Sequence, residues 1–335
     1  MKFQLSISIK QGRPFYSWIL LLLLAPTVKQ GFAQVSGNNG GNKTLQAVQA
    51  KYGLDPATPL LKRVSKTPDD VLEMFKEAGI SPTEHMLTSE EISTVESAIA
   101  VLPPLHQRVL QQHLKSFSFL DNMPNTALTS PVTGDEAVKL YHITFRAGLL
   151  HQTVSEWMTQ KESNLFVEDD SAITISIQAG LLNAMTYILL HEGTHVVDGS
   201  LHLLAMDTVV GKPGMNSFAT NFSKGIWKDI STHEWHFTDS FVVKNRFRSK
   251  GRQFRKAEAA GVYKALIRTP FASFYSTASW HEDLAELITL YHLTQKYGQP
   301  FRIIISVHGK EISAFEPMKS RFVRRRFRLL HRFYR

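Results

Sequence analysis

Two imidazoles one helical turn apart, with a carboxylate between them, stand at His191-Glu192-Gly193-Thr194-His195. Residues four apart share one face of a helix, so both rings can reach a single divalent cation. The neighbouring Glu192 can then act on water held by that cation. A second acidic pair, Glu282 and Glu286, begins 87 residues after His195 in the run Trp280-His281-Glu282-Asp283-Leu284-Ala285-Glu286. These carboxylates are also four apart and fall on one helical face. Such a pair suits a third zinc ligand and a carboxylate that orients an imidazole. The reading without chemistry is a pair of hydrogen-bonded core histidines, and an acidic helix start favoured by the macrodipole.

The arrangement resembles the gluzincin group of zinc metallopeptidases. In that group HExxH lies on one helix, and a Glu on a later helix is the third ligand. An acidic residue four positions further on holds a ligand histidine. The resemblance implies that Glu282 binds the metal beside His191 and His195, and that Glu286 is the supporting carboxylate. Lethal-factor-like members also place a catalytic Tyr seven residues before the ligand Glu, and Tyr275 stands at that offset. The likeness covers roughly residues 170–297 and departs in the long stretch between His195 and Glu282, which leaves room for an insertion. It implies a zincin-like fold, a zinc cofactor and a peptide or protein substrate. It also implies that the strand at Ile173–Ile177 borders the cleft and pairs with an extended peptide.

Asp198 is the alternative third ligand, because it shares the histidine stripe. It lies a turn beyond His195, and its short side chain would have to reach back along the axis. A supporting hydrogen bond or a helix-end role suits it better. The metzincin pattern fails, since it needs Gly and His where this chain has Asp198 and Leu201.

Zinc in such a site lowers the pKa of a bound water to roughly 7. Glu192 would take the proton and return it to the leaving amine. Tyr275 would donate to the developing oxyanion. The expected activity is a secreted zinc-dependent peptide-bond hydrolase. An amidase or cell-wall peptide hydrolase would use the same metal. A non-enzymatic helical envelope protein would use none.

These side chains need elements to hold them. A helix is expected from about Leu181 to Asp198, stopping at Gly199, and another over 279–297 that stops at Gly298. Ile173, Ile175 and Ile177 alternate with Thr174 and Ser176 as in a strand. Residues 302–315 read as a hairpin turning at Gly309. Residues 34–43 read as a flexible Gly/Asn linker, and 44–130 as mostly helical. In that region helices open at Pro68-Asp69, at the capping box of Thr88 to Glu91, and at Pro103-Pro104. The third helix counts Leu114 in its apolar spacing. Residues 135–160 also read as helical. The fold class is α+β, helix-rich, with a small sheet and an active-site helix, and the catalytic part spans 131–317.

Composition narrows the setting. The chain has 335 residues, no Cys and a net charge of +9. Thiolate ligands, disulfides and a thiol nucleophile are excluded. Residues 1–33 resemble a signal peptide: Lys2, Lys10 and Arg13 precede the apolar run Trp18 to Ala25, and Ala33 ends a small-residue site. That leader and the absence of Cys fit a bacterial envelope, periplasmic or secreted. The excess charge sits at the ends, because residues 34–317 carry 26 basic and 29 acidic side chains. No nucleic-acid partner is expected for that body. The tail, 318–335, reads as a basic amphipathic helix. It would dock through Val323, Phe327, Leu330 and Tyr334, or contact an anionic envelope surface. His233 and His236 could hold a second ion, and the basic run 244–256 could rim an electropositive cleft.

Overall fold

The computed structural model describes residues 38–132, 138–169, 172–204, 217–234 and 239–335. The expected leader at 1–33 and residues 34–37 lie outside them. Helix α1 (Asn38–Lys51) turns residues 38–43 from the expected linker into helix. Val48 anchors it against Leu54 and Leu140. Once a helix is nucleated, each further residue adds one hydrogen bond, so it extends back through the glycines.

Helix α2 (Asp69–Glu77) stops before Gly79, which takes φ +74°. Strand β1 (Thr83–Glu84) precedes α3 (Ser89–Ala100), which has the expected capping box. The Thr88 amide donates to Glu91 Oε2 at 2.7 Å, and the Glu91 amide to Thr88 Oγ1 at 3.3 Å. Helix α4 (Pro104–His113) runs directly into strand β2 (Leu114–Asp121). Strands β3 (Ala127–Pro131) and β4 (Tyr141–Arg146) follow.

These strands correct the helical readings of 44–130 and 135–160. Leu114 begins a strand because Arg63, from far back in the chain, caps the end of α4. Its guanidinium donates to the carbonyls of Leu110, Gln111 and Leu114. In β2, Phe117 and Phe119 alternate with Ser116 and Ser118, but both faces are buried. The sheet order is β1-β2-β4-β3, with β2 and β4 parallel and β3 antiparallel at an edge.

Helix α5 (Val154–Ser163) starts at a second capping box, on Thr153. Strand β5 (Ile173–Gln178) falls where the alternation predicts it. Helix α6 (Ala184–Leu201) begins at Asn183, whose side chain accepts from the Met185 amide, so it starts later than Leu181. It also passes through Gly199 instead of stopping there. A glycine inside a helix costs about 1 kcal/mol. Burial of each of Leu189, Leu190, Val196 and Val197 contributes about 1.5–3 kcal/mol, which outweighs it. The absent side chain has a use, since a Cβ at Gly199 would collide with the Tyr141 hydroxyl. The helix ends at His202, in the left-handed region at φ +50°.

Short helices α7 (Ser217–Ser223) and α8 (Ser240–Val243) lead to α9 (Ala259–Leu266) and α10 (Trp280–Tyr291). Helix α10 continues as a wider turn over His292–Lys296 and stops before Gly298, at φ +62°. Strands β6 (Arg302–Val307) and β7 (Lys310–Phe315) form the expected hairpin, turning at Gly309. With β5 they make a second sheet, ordered β5-β6-β7 and antiparallel throughout.

The tail is not one helix. It is a short turn, α11 (Arg321–Arg324), followed by a 3₁₀ stretch over Phe327–Tyr334. Val323, Leu330 and Phe333 are fully buried in the body. The fold is α+β, with two small sheets. The main apolar cluster extends from Leu60 to Phe333 and draws on the N-terminal region, both sheets and the tail, with two smaller clusters beside it. Among the described residues no helix is long and apolar enough to cross a membrane.

Candidate metal centre

Helices α6 and α10 bring three donors together. His191, His195 and Glu282 each offer one ligand atom, all within 4.8 Å of one another. His191 Nε2 lies 2.9 Å from Glu282 Oε2 and 3.3 Å from His195 Nε2. His195 Nε2 lies 3.5 Å from the same carboxylate oxygen. Tetrahedral zinc with bonds of about 2.0–2.1 Å spaces its ligand atoms roughly 3.3 Å apart. The donor set and its spacing therefore fit that ion. His191 is buried, and His195 and Glu282 are half-buried. One side of the cluster thus remains open to solvent.

Ser279 fixes the first turn of α10 by accepting from the Glu282 amide at 3.3 Å. Glu286, one turn on, lies fully buried beneath His191. Its Oε1 is 3.1 Å from His191 Nδ1, close enough for an ion pair although poorly aligned as a hydrogen bond. The same oxygen accepts from Lys161 Nζ at 3.1 Å and from the Tyr187 hydroxyl at 2.8 Å. Ser273 Oγ donates to Oε2 at 2.6 Å. Burial alone would raise the Glu286 carboxyl, but Lys161, His191 and Ser273 together hold it at about 2. It is an anion, and its place matches the expected support of His191.

The charges are strongly coupled. Burial pushes His191 down, but Glu282 and Glu286 outweigh it and raise the imidazole to about 10. His195 is raised against burial by Glu282. Glu282 is lowered well below the carboxylate range, as both imidazoles overcome its desolvation. Glu282 Oε2 lies within 3.5 Å of both imidazoles, so rings and carboxylate attract one another across the cluster.

Glu192 lies beside the cluster on α6, half-buried, and Thr129 Oγ1 donates to its Oε2 at 2.6 Å. Thr129 belongs to the edge strand β3, which lies along α6. The strand meeting Glu192 is thus β3, while β5 packs against α5. Tyr275 joins the site from a 3₁₀ turn over Tyr275–Thr277. Its ring centroid is 5.8 Å from that of His191, and Lys161 Nζ lies 4.1 Å over its ring. Its phenol is raised well above 10 by burial and by Glu282, Glu192 and Glu286. The hydroxyl therefore keeps its proton and can donate.

Asp198 does not reach the cluster. Its Oδ1 accepts from the Leu204 amide at 2.9 Å, and its Oδ2 meets His281 Nδ1 at 2.5 Å. It closes the turn after α6, so the helix-end role holds and the place beside the metal is corrected. His233 Nε2 lies 2.8 Å from Arg248 Nη1, and burial and that cation lower its pKa to about 4. Its lone pair is engaged, and His236 lies outside the described residues. Arg246 and Arg248, in the basic run, donate to the carbonyls of Asn164 and Thr277.

Sequence reasoning missed Thr129, Lys161, Tyr187 and Ser273. Tyr187 had a signal, because it precedes His191 by four on the same helical stripe. The other three come from distant segments with no shared spacing. No family model matches this chain, and neither does any curated protein or solved structure.

Proposed function

We propose that the protein is a zinc-dependent peptide-bond hydrolase with a zincin-like catalytic part. The observation that carries this reading is the cluster of His191, His195 and Glu282 at tetrahedral spacing, with Glu192 beside it. Bound zinc would supply Lewis acidity to a water and to the substrate carbonyl.

The remaining work falls to the chain's own groups. Glu192, set by Thr129, accepts the proton from the attacking water and returns it to the leaving amine. Tyr275, kept protonated by burial and its anionic neighbours, donates to the oxygen on which charge develops. Glu286 holds His191 by Nδ1, which leaves Nε2 for the metal. Among the described residues no strand pairs with the outer edge of β3, beside Glu192, on which an extended peptide can add as a further strand. The exported location suggested by the leader belongs to the same proposal.

The test is Glu192→Gln, which keeps size and polarity but cannot take the proton. It should retain zinc and lower peptide hydrolysis by about 10²–10⁴-fold. Hydrolysis at the wild-type rate by a zinc-loaded variant would remove Glu192 from the mechanism.

A further inference from the structure

We infer that the C-terminal segment is a brace for the metal centre, with Arg326 as its positioning residue for the ligand Glu282. This rests on the metal reading above and adds a part of the chain that the reading does not use.

Glu282 and Asp283 are consecutive in the first turn of α10. Their side chains diverge, one to the histidines and the other into the core. Asp283 is fully buried and held at several points. Arg326 Nη1 donates to its Oδ1 at 2.8 Å, and Nη2 to its Oδ2 at 2.6 Å. Trp227 Nε1 donates to the same Oδ2 at 2.8 Å. Arg326 is itself 5 % exposed, and its Nη1 also donates to the Pro270 carbonyl at 2.9 Å. The guanidinium stacks on Phe222, 4.4 Å from the ring centroid. A two-pronged contact of this kind fixes direction as well as distance. Rotation of the first turn of α10 would break it, so it sets the angle at which Glu282 meets the imidazoles.

The same segment reaches the other ligand helix indirectly, through α4. Phe333 lies 5.5 Å from the ring of His106. His106 Nε2 donates to Thr194 Oγ1 at 2.9 Å, between the two histidine ligands on α6. Thr194 in turn donates to the Leu190 carbonyl at 2.7 Å. Further along, the Tyr334 hydroxyl meets His292 Nδ1 at 2.8 Å, where α10 ends. Residues 326–335 therefore touch α10 directly, and reach α6 through His106 of α4.

Zinc affinity tests this on the full chain, by competition with a chromophoric chelator, well below the melting temperature. Arg326→Gln removes the charge and the fork. Arg326→Lys keeps the charge, so Asp283 stays compensated, but it cannot grip both oxygens. With circular dichroism unchanged, the variants should bind zinc about 10- to 100-fold more weakly than wild type. A role confined to stability would lower the melting temperature and leave this constant alone. If Arg326→Gln does not fold, Arg326→Lys decides the matter. A folded variant with wild-type zinc affinity overturns the brace and leaves the hydrolase reading standing. A wild-type chain that binds no zinc overturns the metal reading, and the brace with it.

Discussion

At the residue scale, the site is a balance of rings and carboxylates that a cation should disturb in a defined direction. His191 is raised to about 10, so in the metal-free protein it carries a proton at neutral pH. Zinc needs the neutral ring and must expel that proton. Zinc affinity should therefore rise by at least about tenfold per pH unit between roughly pH 6 and 8. Calorimetry in buffers of different ionisation heat would show the released proton directly. A pH-independent affinity with no proton release would mean that His191 is not displaced by the metal. The clustering of His191, His195 and Glu282 was legible in the sequence because HExxH and the Glu282–Glu286 pair are local patterns with helical spacing. Thr129 was not, because its partnership with Glu192 depends on which strand occupies the sheet edge.

At the element scale, the helices that carry the site rest on a core with one costly feature. Glu162 on α5 is buried and accepts from the Tyr263 hydroxyl of α9 at 2.9 Å. Burial outweighs that bond and lifts its carboxyl from 4.5 to about 7. The folded state then holds a proton that the unfolded chain releases. Stability from this group is fully present below about pH 4.5 and falls as pH rises towards 7. The loss amounts to about 3 kcal/mol. Glu162→Gln should match wild type near pH 4 and exceed it by about 2–3 kcal/mol at pH 8. Urea unfolding at both values would measure it, and equal stability at pH 8 would show that the carboxylate is accommodated as an anion. Helices with caps in their own sequence, such as α3 and α4, were legible. The α4-to-β2 junction was not, because Arg63 makes it from fifty residues away. Gly199 misled for a related reason: its role is the close approach of Tyr141, and the helix runs on beneath it.

At the scale of the whole molecule, segments on both sides of 131–317 contact the helices that carry the cluster. α4 supplies His106 to the HExxH helix, β3 supplies Thr129 to Glu192, and the tail supplies Arg326 to α10. The tail's apolar stripe was legible: Val323 and Leu330 are buried in the body, and Phe327 and Tyr334 pack half-buried against it. Arg326 was counted in the sequence only as one more basic residue, because a buried arginine is recognised by its partner and not by its spacing. The apolar residues of this tail are spent on the body, while Arg321, Arg324, Arg325 and Arg328 keep their charge at the surface.

The most direct test is the zinc content of the purified full-length protein and of Glu282→Ala, after dialysis against a weak chelator. The account expects about one zinc per chain in the wild type. It expects loss of that zinc in Glu282→Ala, with the helical circular dichroism kept. A zinc-free wild type, or a variant that holds zinc as firmly as the wild type, would contradict it.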